Sequence, residues 1–252
     1  MILEVCCGNL ESADAAVRGG AQRIELCSRL EVDGLTPSWE DLRTVRARYP
    51  GLCIHVLIRP RPGDFCYSGA EIEQMEADIE TALDLGADGV VVGALTPRGD
   101  VDTGAMLELT CTVSNWAVAR MLEGDLCHAS NDSHFFRPLQ ADPSITFHRA
   151  FDVCRKPFDA LEDIIRLGCD RILTSGQSPR AVEGTDLLRE LRLRARGEVI
   201  ILPGGGVTPG NIRRIVEATG CSEIHASASV TTPEGVKITQ EETVRALLEA
   251  IQ

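Results

Sequence analysis

Lysine is nearly absent from this chain. Its 252 residues include 25 Lys+Arg, of which only Lys156 and Lys237 are lysines. Aldolases that form a Schiff base need a buried lysine on a strand, and neither lysine lies in a strand-like run, so this class is disfavoured. The chain also lacks any apolar run near the roughly 18 residues of a membrane-spanning helix. We therefore predict no membrane partner.

Positive charge is scarce as well. The 25 basic residues face 38 acidic ones, which gives a net charge of -13. Nucleic acids and anionic membranes attract basic faces, so this balance argues against both as partners. The first residues carry no basic segment and place Glu4 where a secretory signal would be apolar. These features predict a cytoplasmic protein.

Ten cysteines are present, but they form no Cys-x-x-Cys pair and no zinc-finger spacing. Disulfide scaffolds are short secreted chains, whereas these cysteines are scattered along a long one. We expect most of them to be small buried hydrophobic residues. A composition with 44% hydrophobic and 25% charged residues is that of an ordinary globular protein.

Short β-branched runs alternate with amphipathic stretches, which is typical of βαβ units and a parallel sheet. The predicted strands are residues 2–6, 23–27, 53–59, 89–93, 145–149, 171–174, 199–202 and 223–226. The predicted helices are residues 12–18, 38–48, 70–85, 103–109 with an extension of undefined length, 157–167, 185–194, 209–219 and 240–251. Glycines in the phrases that follow four of the helices, such as Gly20 and Gly220, suit a left-handed helix end. Eight strand-helix units in about 250 residues predict an α/β fold, a (β/α)₈ TIM barrel with a closed parallel sheet, in a single domain over residues 1–252.

One segment departs from this pattern. Residues 113–140 lose the helical periodicity, and a structureless loop of this length is unusual inside a compact domain. We interpret the segment as an atypical insertion and hypothesise that it is a translated, unspliced intron. Removal of residues 113–140 would join Thr112 to Ala141 and leave a connection of normal length between the helix and the next strand. Sequencing the mature transcript tests the hypothesis.

Two strands repeat a short phrase, Glu4-Val5-Cys6 and Glu25-Leu26-Cys27. Residues two apart share a face of a strand, and adjacent strands lie about 4.8 Å apart. Cys6 and Cys27 are therefore expected to face each other at the barrel mouth. Two thiolates at that distance suit a soft ion with few ligands, above all Cu(I). The alternative is a pair of core cysteines that bind nothing.

Further polar residues follow the third and fifth strands, where the catalytic residues of such barrels lie. Arginine suits a carboxylate or phosphate, and a histidine beside a carboxylate suits acid-base chemistry. The alternative is a structural ion-pair network. With the two strand glutamates, the candidate pocket comprises Glu4, Glu25, His55, Arg59, Arg61, Asp64, His148, Arg149 and Asp152.

A candidate anion site follows the last three strands. Glycines that lead towards a helix let backbone N–H groups approach an anion closely, and barrels of this class bind phosphate at the loops after strands seven and eight. The alternative is a tight turn without a ligand. The candidate residues are Ser175, Gly176, Gly204, Gly205, Gly206 and Ser227.

These phrases together resemble the copper homeostasis protein CutC family. The resemblance rests on the two Glu-x-Cys phrases, on Gly34-Leu35-Thr36-Pro37-Ser38, on Ile58-Arg59-Pro60-Arg61 with Gly63-Asp64-Phe65, on Thr146-Phe147-His148-Arg149-Ala150-Phe151-Asp152, on Leu173-Thr174-Ser175-Gly176 and on Pro203-Gly204-Gly205-Gly206. It implies a (β/α)₈ barrel, a cytoplasmic setting, a homo-oligomer and a part in copper handling. It also implies Cu(I) ligation at Cys6 and Cys27, and it matches the pocket residues to the mouth of the family's barrel.

The chain departs from the family pattern at residues 113–140 and after the eighth strand. There Ser229 is followed quickly by the last helix, where members carry a longer segment, and a more open mouth is expected.

Two functions remain open at this point. The first is a cytosolic copper homeostasis protein that binds Cu(I) through Cys6 and Cys27. The second is a barrel enzyme acting on a small phosphorylated or carboxylated metabolite. In that enzyme the arginines and the glycine loop would hold the anion, and His55 or His148 with a carboxylate would move protons.

Overall fold

The computed structural model describes residues 1–127, 142–232, 235 and 237–251. Strands and helices alternate from the first residues onward. The strands are β1 (Ile2–Cys7), β2 (Arg23–Leu26), β3 (Cys53–Leu57), β4 (Gly89–Val92), β5 (Ser144–Phe147), β6 (Arg171–Thr174), β7 (Ile200–Pro203), β8 (Glu223–Ala226), β9 (Ser229–Thr231) and β10 (Lys237–Thr239). The helices are α1 (Leu10–Gly19), α2 (Trp39–Arg48), α3 (Gly69–Asp84), α4 (Thr103–Cys127), α5 (Pro157–Arg166), α6 (Thr185–Ala195), α7 (Ile212–Thr219) and α8 (Glu241–Ala250).

The first eight strands form one parallel sheet in the order β7-β6-β5-β4-β3-β2-β1-β8. Its two end strands meet, because a Cβ added at Gly204, directly after β7, would lie 3.2 Å from Cβ of His225 in β8. The sheet thus curls into a nearly closed barrel with the eight helices around it. The predicted (β/α)₈ TIM barrel is confirmed.

The strands alternate between two environments. Residues such as Leu3, Val5, Ile24 and Ile54 belong to the large apolar cluster that packs the sheet against the helices. The residues between them point into the barrel, and many of these are polar or charged. The helices end as the glycines predicted, since Gly20 follows α1 with φ 95° and donates its N–H to carbonyls of the last turn.

Strand β3 is shorter than predicted, because it ends at Leu57 rather than at residue 59. Beyond it, the N–H of Arg59 donates to Oγ1 of Thr36 instead of to a strand, and Pro60 has no N–H to donate. The chain leaves the barrel at this point and becomes a loop.

Helix α4 is longer than predicted, because it continues past residue 109 to Cys127. Val113 and Ala117 are buried, but Val118 and Leu122 on the other side are exposed. Apolar residues on both faces remove the one-sided periodicity that identifies a helix. The rest of the predicted insertion lies outside the described residues, and the intron hypothesis stays a prediction. None of the helices in the described ranges combines the length and the apolar character needed to cross a lipid bilayer.

A small antiparallel hairpin follows β8 and was not predicted. It pairs β9 with β10, and Thr239 at its end donates its hydroxyl to the carbonyl oxygens of Cys6 and Ser227. The N–H of Thr239 donates to Oγ of Ser12 in α1. The hairpin therefore fastens the segment before α8 directly beside the end of β1.

Candidate metal centre

A column of charged side chains runs through the barrel. It begins with Arg171, whose Nε lies 2.8 Å from Oε2 of Glu223. Arg23 then bridges Glu223 and Glu4 with two of its nitrogens. Glu4, Arg23 and Glu223 are all buried, so each charge depends on its partners for the solvation that water would otherwise supply.

The two carboxylates in this column stay ionised. Burial by itself would raise the pKa of Glu4, but the hydrogen bond from His225 and the charge of Arg23 outweigh it and hold that pKa well below its usual range. Burial opposes ionisation of Glu223 in the same way, and hydrogen bonds from Arg171 and Arg23 lower its pKa. Both groups accept charge-assisted hydrogen bonds, which favour the anion.

His225 joins this column to the strand ends. Its Nδ1 lies 2.7 Å from Oε1 of Glu4, and its Nε2 lies 3.6 Å from Oε2 of Glu25. Burial disfavours the imidazolium, yet hydrogen bonds with Cys6 and Glu4 and the charge of Glu25 raise the pKa of His225 well above its ordinary value. Burial raises the pKa of Glu25. A protonated His225 thus balances the carboxylates on either side of it.

The predicted cysteine pair lies directly beyond His225. Sγ of Cys6 is 3.6 Å from Sγ of Cys27, and both thiols are free and buried. Leu57 and Val91 pack against them. The hydrogen bond with Cys27 and burial raise the pKa of Cys6 well above its ordinary value. The same hydrogen bond lowers the pKa of Cys27, but burial and the charge of Glu25 outweigh it and raise that pKa. Without an ion, both groups are therefore thiols.

Three of these side chains form a set of potential metal donors. Ligand atoms of Cys6, Glu25 and His225 all lie within 4.8 Å of one another. His225 presents Nε2 to this set while Nδ1 donates to Glu4, and a carboxylate behind a histidine is the usual support of a metal ligand. The site therefore offers sulfur, nitrogen and oxygen donors together.

His225 is not among the site residues predicted from the sequence. It alternates with Glu223 and Ser227 along β8, so the period-two rule places it on the inner face. Arg23 alternates with Glu25 and Cys27 in the same way. This alternation was the available signal, and it would have identified both residues.

The other two pocket histidines are buried elsewhere. Nδ1 of His55 lies 3.5 Å from Oε2 of Glu4, beneath the cysteines. His148 accepts a hydrogen bond from the N–H of Ala150 at Nδ1, and its ring centroid lies 4.9 Å from that of Phe65. Burial lowers the pKa of His55 to about 4. Burial and the charge of Arg59 lower that of His148 to about 3.

These two neutral histidines predict a loss of stability in acid. An unfolded histidine has a pKa of about 6.5, so below that pH the unfolded chain binds protons that the folded chain does not. The free energy of unfolding therefore falls as the pH falls from about 6.5 towards 4. We expect His148→Gln to remove about one proton, or ~1.4 kcal/mol per pH unit, from this slope. Urea unfolding at several pH values measures this pH dependence of the free energy of unfolding. An unchanged slope in the variant would contradict a neutral, buried His148.

The arginines after β3 use their donors inside the protein. Arg59 donates to the carbonyl oxygens of Val32, Gly34 and Gly63. Arg61 pairs with Glu71 and with Asp64, which is largely exposed. These two arginines thus fasten the loops at the mouth, which agrees with the structural alternative for them.

The residues after β5 and β6 form a second hydrogen-bonded group. Asp152 accepts from the hydroxyl of Thr174 and from the N–H groups of Ser175 and Gln177. The N–H of Gly176 donates to Oγ1 of Thr174. The N–H groups of Ser175 and Gly176 are therefore occupied within the protein.

Arg149 differs from Arg59 and Arg61. Its Nε donates to Asp152 and its Nη2 to Oγ of Ser175, and 43% of its side chain is exposed. Its guanidinium lies beside Gly205 after β7, where an added Cβ would be 3.3 Å from Cζ. Ser227 after β8 is exposed and accepts from the hydroxyl of Ser229. Of the candidate anion residues, Ser175 and Gly205 both contact Arg149 of the candidate pocket.

Comparison with known proteins agrees with this architecture. The model of the CutC family matches residues 1–135 and 136–230. A family protein CutC of Chromobacterium violaceum is 44% identical over 227 residues, which cover 90% of this chain and 81% of that protein. The human copper homeostasis protein cutC homolog is 42% identical over 236 residues, which cover 94% of this chain and 76% of that protein.

A solved structure is similar as well. The putative copper homeostasis protein CutC from Streptococcus agalactiae superposes with a TM-score of 0.75 and 29% sequence identity, over 90% of this chain and 98% of that one. The two parts of the family match meet between residues 135 and 136, within the predicted insertion. The chain belongs to the CutC family, the family of copper homeostasis proteins that its strand-end phrases resemble.

Proposed function

We propose that this chain is a cytoplasmic copper homeostasis protein that binds one Cu(I) ion through Cys6 and Cys27. The observation that carries the proposal is the 3.6 Å separation of the two free thiols inside the barrel. Cu(I) is soft and prefers thiolate ligands. The names of the curated relatives, as copper homeostasis proteins, support the same ion.

The sulfur separation favours a bent over a linear arrangement of an ion between the two thiols. With metal–sulfur bonds of ~2.3 Å, a linear arrangement would need about 4.6 Å between the sulfurs. The observed 3.6 Å corresponds to an S–metal–S angle of about 100° at that bond length. A bent pair leaves room for a third donor beside Cys6, where ligand atoms of Glu25 and His225 lie within 4.8 Å of its sulfur, whereas Cys27 is outside this set. His225 is the one that is supported by a carboxylate, Glu4.

Binding changes the charge of the site. Two thiolates and Cu(I) together carry one negative charge, and the charges of Arg23 and Arg171 deeper in the column are already matched by Glu4 and Glu223. Binding must displace both thiol protons, and coordination by Nε2 of His225 must displace a third, so the affinity is expected to rise with pH. The homo-oligomer that the family resemblance implies remains a prediction beside this proposal.

Anaerobic competition against a chromophoric Cu(I) chelator tests the proposal. We expect one Cu(I) per chain and an X-ray absorption spectrum with two sulfurs at ~2.3 Å and one lighter donor. Failure to compete with the chelator, or a spectrum without sulfur, would overturn the proposal. If Zn²⁺ bound more tightly than Cu(I) in a parallel titration, the metal site would stand but its assignment to copper would be wrong.

A further inference from the structure

We propose a second site, separate from the thiol pair, in which Arg149 and the backbone N–H groups of Gly205 and Gly206 bind the phosphate group of a small phosphorylated metabolite. The site lies at the C-terminal end of β7, next to the 3₁₀ turn Arg149–Val153 that follows β5. It goes beyond copper binding, because Cu(I) needs neither a cation nor backbone donors.

The backbone of the glycine loop provides the first donors. Gly205 and Gly206 have φ of 103° and 66°, a region that favours glycine. Their carbonyl oxygens accept from Ala181 and Asn211, but their N–H groups donate to no acceptor among the residues that the structure describes. Two consecutive unpaired N–H groups on a loop are a recurring feature of anion sites.

Arg149 provides the charge. Asp152 and Ser175 hold its Nε and Nη2, which fixes the plane of the guanidinium, while Nη1 has no partner among the described residues. An added Cβ at Gly205 would approach Cζ of Arg149 to 3.3 Å and Nη2 to 3.4 Å. A side chain at Gly205 would crowd the guanidinium, and its φ of 103° favours glycine as well.

The surrounding hydrogen bonds orient the side chains of the site but leave some of its donors without a partner among the described residues. Asp152 carries a negative charge, but the hydroxyl of Thr174 and the N–H groups of Ser175 and Gln177 already occupy it. Arg149 is also more exposed than Arg59, which is buried and bonded to carbonyls. A partly exposed guanidinium beside unpaired N–H groups matches the planar recognition of a phosphate.

The position of the loop limits the size of the ligand. Gly204, the residue before the loop, lies against His225 of the metal centre. A phosphate held at Gly205 and Gly206 would therefore place the rest of its molecule at the barrel mouth. This geometry favours a short phosphomonoester over a polymer such as a nucleic acid, whose binding the net charge of -13 also opposes.

The test uses inorganic phosphate and glycerol 3-phosphate as probes of the full-length protein. Amide chemical shifts of ¹⁵N-labelled protein are followed at constant ionic strength, with chloride as the reference anion. The variants are Arg149→Gln and, as a matched control, Arg155→Gln, since Arg155 is an exposed arginine paired with Asp100. The same titration of the Cys6→Ser, Cys27→Ser variant separates this site from the metal centre.

We expect saturable shifts of the Gly205 and Gly206 amides with both probes in the wild type, in Arg155→Gln and in the cysteine variant. Arg149→Gln should weaken the affinity about 10-fold or more, because it removes a charge-assisted hydrogen bond. If that variant fails to fold, Arg149→Lys, which keeps the charge but loses the planar fork, should weaken binding by a smaller factor. Absent shifts, or equal affinities of the two arginine variants, would overturn the site.

Discussion

Replacing Cys6 and Cys27 together by serine is expected to abolish Cu(I) binding. A serine hydroxyl is a hard donor that keeps its proton near neutral pH, whereas Cu(I) prefers soft thiolates. Loss of a supporting hydrogen bond at a metal site already costs about 10- to 100-fold in affinity. Loss of both ligands should therefore exceed 100-fold, and competition with the chromophoric chelator measures the change.

The matched control is the Cys53→Ser, Cys66→Ser variant, which removes two free, half-buried thiols that belong neither to the pair nor to the set of potential metal donors. It should bind Cu(I) as the wild type does. If serine between Leu57 and Val91 prevents folding, alanine at positions 6 and 27 keeps the apolar packing and serves the same test. If the two double variants bound Cu(I) with equal affinity, Cys6 and Cys27 would not be the copper ligands.

Arg23→Met is expected to destabilise the fold by about 3–5 kcal/mol. Arg23 is the link between Glu4 and Glu223, and methionine fills a similar volume without a charge. Both carboxylates would then lose an ion-pair partner inside the barrel, and removal of one partner of a buried pair leaves an uncompensated charge. Urea unfolding of the variant and the wild type measures the difference.

Arg166→Met provides the control for this effect. Arg166 pairs with Glu162 and Asp163 on the exposed face of α5, and such pairs contribute about 0–1 kcal/mol. A loss of stability in Arg23→Met no larger than that in Arg166→Met would contradict the role of Arg23.

The fold could be predicted from the sequence because its signals are local. The β-branched runs and the glycines after the helices identified eight strand-helix units, and the alternation along β1 and β2 placed Cys6 and Cys27 on the same inner face, although the strand register pairs Cys6 with Glu25. Helix α4 was predicted too short because Val118 and Leu122 are exposed apolar residues. Apolar residues on the outer face interrupt the periodic pattern from which a helix is predicted. Beyond residue 109 the helix packs against α3, and Nε1 of Trp116 donates to Asp84 there. These contacts, and not a one-sided apolar pattern, support this part of the helix.

The roles of the charged residues were harder to predict. Arg59, Arg61 and Arg149 all follow strands, and each could have held an anion. What separates them is the supply of nearby carbonyl oxygens, which engages both terminal nitrogens of Arg59 but does not reach Nη1 of Arg149. That supply depends on loops distant in sequence, such as Val32 and Gly34 around Arg59, and no local pattern encodes it.

The ion pairs inside the barrel join the two ends of the chain. Arg23 and its partner Glu223 are 200 residues apart in sequence, and Glu4 and His225 are 221 apart. A nascent chain that has formed only β1 to β4 would hold Glu4 and Arg23 without two of these partners. Because loop closure must precede such distant contacts, the half-barrel cannot gain the stability of the whole. The barrel is therefore expected to gain its stability in one cooperative step, after β8 has been synthesised.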